Sequence, residues 1–427
     1  MMSKIEVTPG MFSKAELKPS LKTPITLISA ALIVLVFFGI LGKAGDVRFV
    51  WSERREVIQL PELVVNSMLF CTIIGIFLLA TGVVSLLMTM RNRVTPFWLI
   101  VLHGIVAIMA LLGWLATGAT QGVQMVFILS NTMLLAIPLI FGGMAGIMSE
   151  RVGVVNIAIE GQLLTGAFVA SVVGSMTGNL YLGMVAAMVA AGLLSMVLAS
   201  LAIKYLVEQI IIGVLLNVLV IGVTNFLHSV WLDPDSENLN FPGTFEKIPI
   251  PLLSQIPVIG QILFNNRITV YLMFILVPLL WYVLFRSKLG LRARAVGEHP
   301  LAADTVGINV AKTRFWWGTV GGMLAGLGGA ALTIGNVGSF GREMAAGQGF
   351  IALAVVILGR WQPIYVTLAS LLFGFTIILR VWANQVSPGI PVDFITMVPY
   401  LVTLVAVAGF AGKVRPPAAS GQPYTKE

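Results

Sequence analysis

An all-α, polytopic transmembrane bundle is the fold class this sequence predicts, with ten to twelve spans and both termini cytoplasmic. Three observations predict it. Apolar residues make up 58% of the 427-residue chain and charged residues 10%, where a soluble domain carries about 25% charge. Mean hydropathy is +0.96, so hydrocarbon is the solvent for most of the chain. Apolar runs of about 20 residues, the length a helix needs to cross a core about 30 Å thick, recur from end to end. Soluble multidomain, disordered and disulfide-scaffold chains are excluded. Cys71 is the one cysteine and cannot form an intrachain bridge.

In order, the runs fall at 24–42, 63–90, 97–117, 125–148, 157–173, 182–203, 210–226, 269–285, 315–335, 344–358, 363–380 and 394–411. That makes twelve, two of them irregular. With a cytoplasmic N-terminus, inside loops hold 18 of the 26 Lys and Arg, as the positive-inside rule requires. The long outside loop 227–268 carries Asp233, Asp235, Glu237 and Glu246 against Lys247 and Arg267. The net charge of +8 therefore reports topology and not nucleic-acid binding. Residues 1–23 are polar for too long to form a cleavable signal peptide. Pro242, Pro249, Pro251 and Pro257 break helix repeatedly, so that part of the outside loop is irregular or partly re-entrant. We expect an N-terminal extension of about three spans (1–124), a core (125–411) and a disordered, Pro/Ser/Gly-rich cytoplasmic tail (412–427).

Catalysis by the chain alone is not expected. A phosphate-cradling loop needs Gly-Lys followed by Ser or Thr, but Gly42-Lys43 and Gly412-Lys413 continue with Ala and Val. His103, His228 and His299 lack metal-ligand spacing, and no Gly-x-Ser-x-Gly elbow is present. No cofactor or metal is expected on this chain.

Two segments carry information. The first runs Ser149-Glu-Arg-Val-Gly-Val-Val-Asn-Ile-Ala-Ile-Glu-Gly-Gln162. Glu160 is the one carboxylate inside a predicted span, where an ionisable group is functional by default. Against that, it sits a turn from the cytoplasmic end, where it could snorkel or pair with Arg151. Asn156 and Gln162 flank it, and Gly153 and Gly161 loosen the helix. A polar, interrupted helix at this depth belongs where protein covers it or where it lines a wet path.

The second segment is the inside loop 286–314. Pro300 suits a first helical position and Gly307 the position after a last one, which predicts a short cytoplasmic helix over 301–306. Arg292, Arg294, Lys312 and Arg314 flank it, at the height of anionic headgroups. An ordinary basic loop explains the arginines, but not a small-residue helix with a start and a stop. That helix reads as a knob for a partner's groove. Gly318, Gly322 and Gly326, with Gly142 and Gly146, have the four-residue spacing of close helix packing. Beyond them, Gly335-Asn-Val-Gly-Ser-Phe-Gly-Arg-Glu-Met344 precedes a run too short to span. This second interruption opens from outside, the first from inside, and such pairs point to an inverted repeat around a central pathway.

These segments resemble the permease subunits of bacterial ABC importers of the branched-chain amino acid and simple-sugar permease superfamily, most closely the general nucleoside transport permeases. Ser149–Gly161 is similar to that family's Ser-Glu-Arg-Ser-Gly-Val-Val-Asn-Ile-Gly-Leu-Glu-Gly, with Val152, Ala158 and Ile159 departing from it. Gly290–Ile308 is similar to Gly-Leu-Arg-x-Arg-Ala-Val-Gly-Glu-Asn-Pro-x-Ala-Ala-Asp-x-x-Gly-Ile, with His299 for Asn. Gly347–Gly359 is similar to Gly-x-Gly-Phe-Ile-Ala-Leu-Ala-x-Val-Ile-x-Gly. The resemblance covers about 125–411. It implies a bacterial inner-membrane permease, with ATP and Mg used by a separate ATP-binding subunit. It further implies a second homologous permease and a substrate-binding lipoprotein of the basic membrane protein type. The coupling region it implies comprises Arg292, Arg294, Gly297, Glu298, His299, Pro300, Ala302, Ala303, Asp304 and Gly307.

Alternatives fit less well. An ion-coupled carrier would need more intramembrane carboxylates than Glu160. A channel would need charge rings or a filter sequence, and a membrane enzyme a clustered nucleophile, base or metal set. A simple-sugar permease of the same superfamily stays open. A nucleoside path should combine aromatic faces with amides and hydroxyls, and its candidates are Asn156, Glu160, Gln162, Asn336, Ser339 and Phe340.

Overall fold

A computed structural model describes residues 21–52, 58–386, 397 and 415–425. The chain divides into two compact units, one built mainly from residues up to Met125 and one mainly from Val126 onward.

In the first unit, α1 (Lys22–Ile33) continues through π-helical turns to Ile40. Strand β1 (Asp46–Val50) pairs antiparallel with β2 (Leu63–Asn66) and parallel with β3 (Val123–Gln124). The run predicted at 63–90 therefore enters extended. Its helix, α2 (Ser67–Met90), starts where the Asn66 side chain accepts the Leu69 N–H at 3.1 Å, a cap that outweighs the apolar continuity. Helix α3 (Phe97–Leu115) completes the unit. Along α2, Ser67, Cys71, Gly75, Leu78, Gly82, Ser85 and Thr89 are buried. They form a seam every three or four residues on which neighbouring helices close. A Cβ at Gly75 would lie 2.7 Å from the Leu35 Cα, so only glycine admits α1 there. Ile73, Ile76 and Phe77 point outward and stay exposed, as a lipid-facing side must.

The second unit holds α4 (Met125–Glu150), α5 (Ile159–Thr177), α6 (Leu180–Ile203) and α7 (Gln209–Leu227, continuing to Leu232). Its outside loop is broken into α8 (Ser236–Leu239), α9 (Ile259–Leu263) and a short β4 (Ile248–Pro249) to β5 (Asn265–Asn266) ladder. Then come α10 (Ile268–Arg286), the short α11 (Lys288–Glu298) and α12 (Pro300–Thr305), and α13 (Val310–Leu332, continuing to Val337). The unit continues into α14 (Gln348–Leu358) and α15 (Pro363–Val386). Among the described residues ten helices are long and apolar enough to cross a membrane. The run predicted at 344–358 is the 11-residue α14, which covers roughly half a bilayer. The run at 394–411 lies outside the described residues.

Helices α5, α6 and α13 form the centre of this unit, in backbone contact. A Cβ at Gly166 would stand 2.5 Å from the Gly326 carbonyl oxygen, and one at Gly326 2.4 Å from that of Ala187. Gly322, Gly142 and Gly146 are similarly crowded, the last two by Ala352 and Val356 of α14. Gly318 departs from the packing expectation. No atom crowds it, and its contribution is a carbonyl that accepts the Ser195 hydroxyl at 2.8 Å. The end segment 415–425 departs from the expectation of disorder as well. Its backbone donates hydrogen bonds to Gly297 and Gly153, contacts that side-chain composition does not encode.

Candidate functional site: the junction of two interrupted helices

Between α4 and α5 the chain leaves helical geometry over Arg151–Ala158. Gly153 turns through φ +86°, a left-handed conformation that glycine adopts without strain. The freed backbone groups find side-chain partners. The Gln209 carboxamide oxygen accepts the Val155 N–H at 2.7 Å. Asn217 bridges the break, donating to the Ile157 carbonyl and accepting the Gly161 N–H, both at 2.8 Å. Asn217 is 3% exposed and stands eight residues beyond Gln209, about 12 Å along α7. That spacing puts the start of α5 some two turns deep.

Glu160 follows in the first turn of α5 and is 6% exposed. Its two carboxylate oxygens accept the N–H groups of Gly347 and Gly349, at 2.8 and 2.6 Å. These belong to the N-terminus of α14, where Gly347 is left-handed at φ +82°. An N-terminus concentrates unpaired N–H groups and partial positive charge, so a carboxylate from another helix serves as its cap. Two bonds to a charged acceptor are worth about 1.5–3 kcal/mol each. Contact is close enough that a Cβ at Gly349 would fall 2.3 Å from the Glu160 nitrogen. The two interruptions thus meet at Glu160.

Arg151 is not the partner of Glu160. Its guanidinium donates to the Trp361 carbonyl at 3.0 and 3.2 Å, while the Trp361 indole donates to the Glu150 carboxylate. Burial lowers the pKa of Arg151, with Glu298 opposing the shift and Arg294 adding to it. Helix α14 therefore descends from Glu160 to the inner end of α4.

Asn156 and Gln162 are fully buried and bond each other reciprocally, at 3.0 and 3.3 Å. The structure thus brings Asn156, Glu160 and Gln162 to one place. Asn336, Ser339 and Phe340 lie apart from this group, with Phe340 against the middle of α5. Phe340 stands edge-on to Phe168 with centroids 5.2 Å apart, and Asn240 clamps its backbone at both N–H and carbonyl. Arg267 donates to the carbonyls of Gly335 and Asn336. Chain 340–347 leads from this outer group to Gly347, so the two groups are strung along α5 and are not one cluster. Sequence reasoning missed Asn217 and Asn240. Asn217 was findable, as an amide inside an otherwise apolar run.

In the segment between α10 and α13, α12 begins with Pro300 in its first turn and ends before Gly307 at φ +83°, close to the predicted limits. Ala303 is its buried residue, while Leu301, Ala302 and Val306 are exposed. Ahead of it, Glu298 ends α11 and His299 is the residue before Pro300. Of the four basic residues expected at headgroup height, Arg292 and Lys312 are exposed. Arg294 is half-buried over the Phe285 ring at 5.3 Å. Arg314, 2% exposed, instead donates to the carbonyls of Val152 and Gln422. Gly297 presses α11 onto the α4–α5 turn, since a Cβ there would lie 2.2 Å from the Arg151 carbonyl oxygen. Among the described residues no cluster of His, Cys, Asp or Glu could hold a metal.

The family model described as "Branched-chain amino acid transport system / permease component" matches residues 128–412. A nucleoside ABC transporter permease protein of Lactococcus lactis is 38% identical, over 70% of this chain and 96% of its own. A guanosine ABC transporter permease protein of Bacillus subtilis is 38% identical over the same shares. A putative glucose ABC transporter permease protein of Haloferax volcanii is 32% identical, over 61% of this chain and 78% of its own. No solved structure matches the chain.

Proposed function

We propose nucleoside import for this chain, which belongs to the branched-chain amino acid transport system permease family and is therefore a membrane-embedded transport component and not an enzyme. In this reading it is the translocating subunit of an importer in a bacterial cytoplasmic membrane. A separate ATP-binding subunit, using ATP and Mg, supplies the work. A second, homologous permease subunit and a substrate-binding lipoprotein complete the assembly.

The observation that carries the reading is the Glu160 carboxylate bound to the N-terminus of α14. Two helices broken in opposite senses meet there through a few hydrogen bonds, at a depth that water reaches only along a pathway. Ile159 and Leu163 of α5 also share a buried cluster with Ala352 of α14, so parting the two helices means breaking this packing as well as the two bonds. The Asn156–Gln162 pair is satisfied when closed, and when parted it offers the amide donors and acceptors that a base or ribose requires. Phe168 and Phe340 supply aromatic faces further out along α5. Movement enters from α12, the segment shaped to dock on the ATP-binding partner, and passes through the Gly297–Arg151 contact to the turn that leads into Glu160.

Uptake by the assembled importer in proteoliposomes tests this. Labelled guanosine should enter with ATP, and unlabelled nucleosides should compete while ribose and glucose do not. Competition by glucose alone would favour the sugar reading that two relatives' names support.

A further inference from the structure

Segment 415–425 packs on the second unit and reaches the coupling region at Gly297, Glu298 and the cluster that contains Ala303. The Ala419 N–H donates to the Gly297 carbonyl at 2.9 Å, and the Gly421 N–H to the Gly153 carbonyl at 3.1 Å. The Ala418 N–H reaches the Glu298 carboxylate at 3.3 Å. Arg314 donates through Nη1 to the Gln422 carbonyl at 2.9 Å and through Nε to the Val152 carbonyl at 3.0 Å. Among the described residues no carboxylate pairs with this buried guanidinium, so main-chain oxygens of the turn and of the segment hold it. The Tyr424 hydroxyl lies near the Asp304 carboxylate; desolvation, together with that carboxylate, raises its pKa. Its ring packs on the cluster that contains Val152, Val154, Val296 and Ala303.

The segment therefore joins the end of α11, the cluster that contains Ala303 of α12 and the α4–α5 turn directly, beside the Gly297–Arg151 contact. Gly153 is suited to this junction twice over. Its φ is +86°, and a Cβ on it would stand 2.9 Å from both the Ala419 carbonyl oxygen and the Arg314 guanidinium. We propose that residues 415–425 are a coupling strap, pinned by Arg314, that carries displacement of α12 to the turn leading into Glu160. This rests on the transport reading above. Arg314 and Tyr424 are positioning residues in it, since neither meets the solute.

The test measures uptake and ATP hydrolysis together in the reconstituted importer, for the full chain and for one ending at Val414. Deletion should leave assembly and ATP hydrolysis in place and lower the solute moved per ATP about tenfold. Tyr424→Phe, which keeps every main-chain bond, should lower the same ratio two- to threefold. An unchanged ratio in both variants would overturn the strap. Should the shortened chain fail to assemble, Tyr424→Phe decides.

A third variant reads seating without transport. A Cβ at Gly421 lies 3.5 Å from the Val155 Cγ2, within reach of disulfide geometry. Val155→Cys with Gly421→Cys should cross-link in membranes and keep the wild-type ratio, because the strap works while bound. Absence of the cross-link, or loss of coupling on forming it, would count against the proposal. A wild-type importer that moves nothing with ATP would sink the transport reading, while the cross-link yield would still judge whether the strap is seated.

Discussion

Glu160 could be read from the sequence as a carboxylate out of place, but its partner could not. A neighbouring arginine two turns back is the electrostatic choice on paper, whereas the fold gives Arg151 to the Trp361 carbonyl and Glu160 to two glycine N–H groups 187 and 189 residues away. Glu160→Gln removes the charge and can accept only one of those bonds with full strength. The closed junction should lose about 1.5–3 kcal/mol, a tenfold to hundredfold shift in its population. Uptake should fall by roughly that factor while membrane insertion, read by immunoblot of washed membranes, is unchanged; wild-type uptake would make Glu160 merely structural. At the outer end, Arg342 bonds the Asp233 carboxylate at 2.7 Å, with His228 at 3.1 Å on its other oxygen. Desolvation opposes ionisation of Asp233, but the bond and charge of Arg342, aided by His228, win and hold its pKa below the usual carboxylate value. A depressed carboxylate contributes stability above its unfolded pKa, about 3.9, and loses it as pH falls through the folded value. Amide protection in loop 338–347, taken relative to the intrinsic exchange rate at each pH, should therefore hold from pH 7 down to about 4 and fall below that. A loss of protection already near pH 6 would contradict the assignment.

Elements were more legible than their partners. The apolar runs placed nearly every long helix because hydrocarbon leaves the backbone no alternative to helix. Pro300 and Gly307 marked α12 because each fixes a backbone angle. What composition could not encode was main-chain bonding: the strand that opens the run at 63, and the seat of 415–425. The amphipathic α11, buried through Gly290, Ala293, Val296 and Gly297, was hidden inside what reads as a basic loop. Two predictions belong to this scale. Gly349→Ala forces a methyl against the Glu160 backbone and should cost about 1–3 kcal/mol, seen as a lower melting temperature in detergent together with lost uptake. An unshifted melting temperature would mean that α14 does not pack as described. Ala303→Pro introduces proline within α12, removing a hydrogen bond to the His299 carbonyl. It should leave ATP hydrolysis running while uptake collapses. Hydrolysis still stimulated by solute in that variant would argue against α12 as the docking element.

For the whole molecule, the polar groups sort by task. One carboxylate joins two broken helices, and buried amides hold an interrupted turn. The transport reading proposed above draws its work from a separate ATP-binding subunit. The extra helices before Met125 form a unit of their own, and nothing in their packing assigns them a part in the pathway. The decisive measurement is solute accumulation in vesicles containing this chain, with and without its ATP-binding partner. Uphill uptake should appear only when the partner and ATP are both present, and an imposed ion gradient should do nothing. Accumulation driven by an ion gradient across vesicles holding the chain alone would contradict the account.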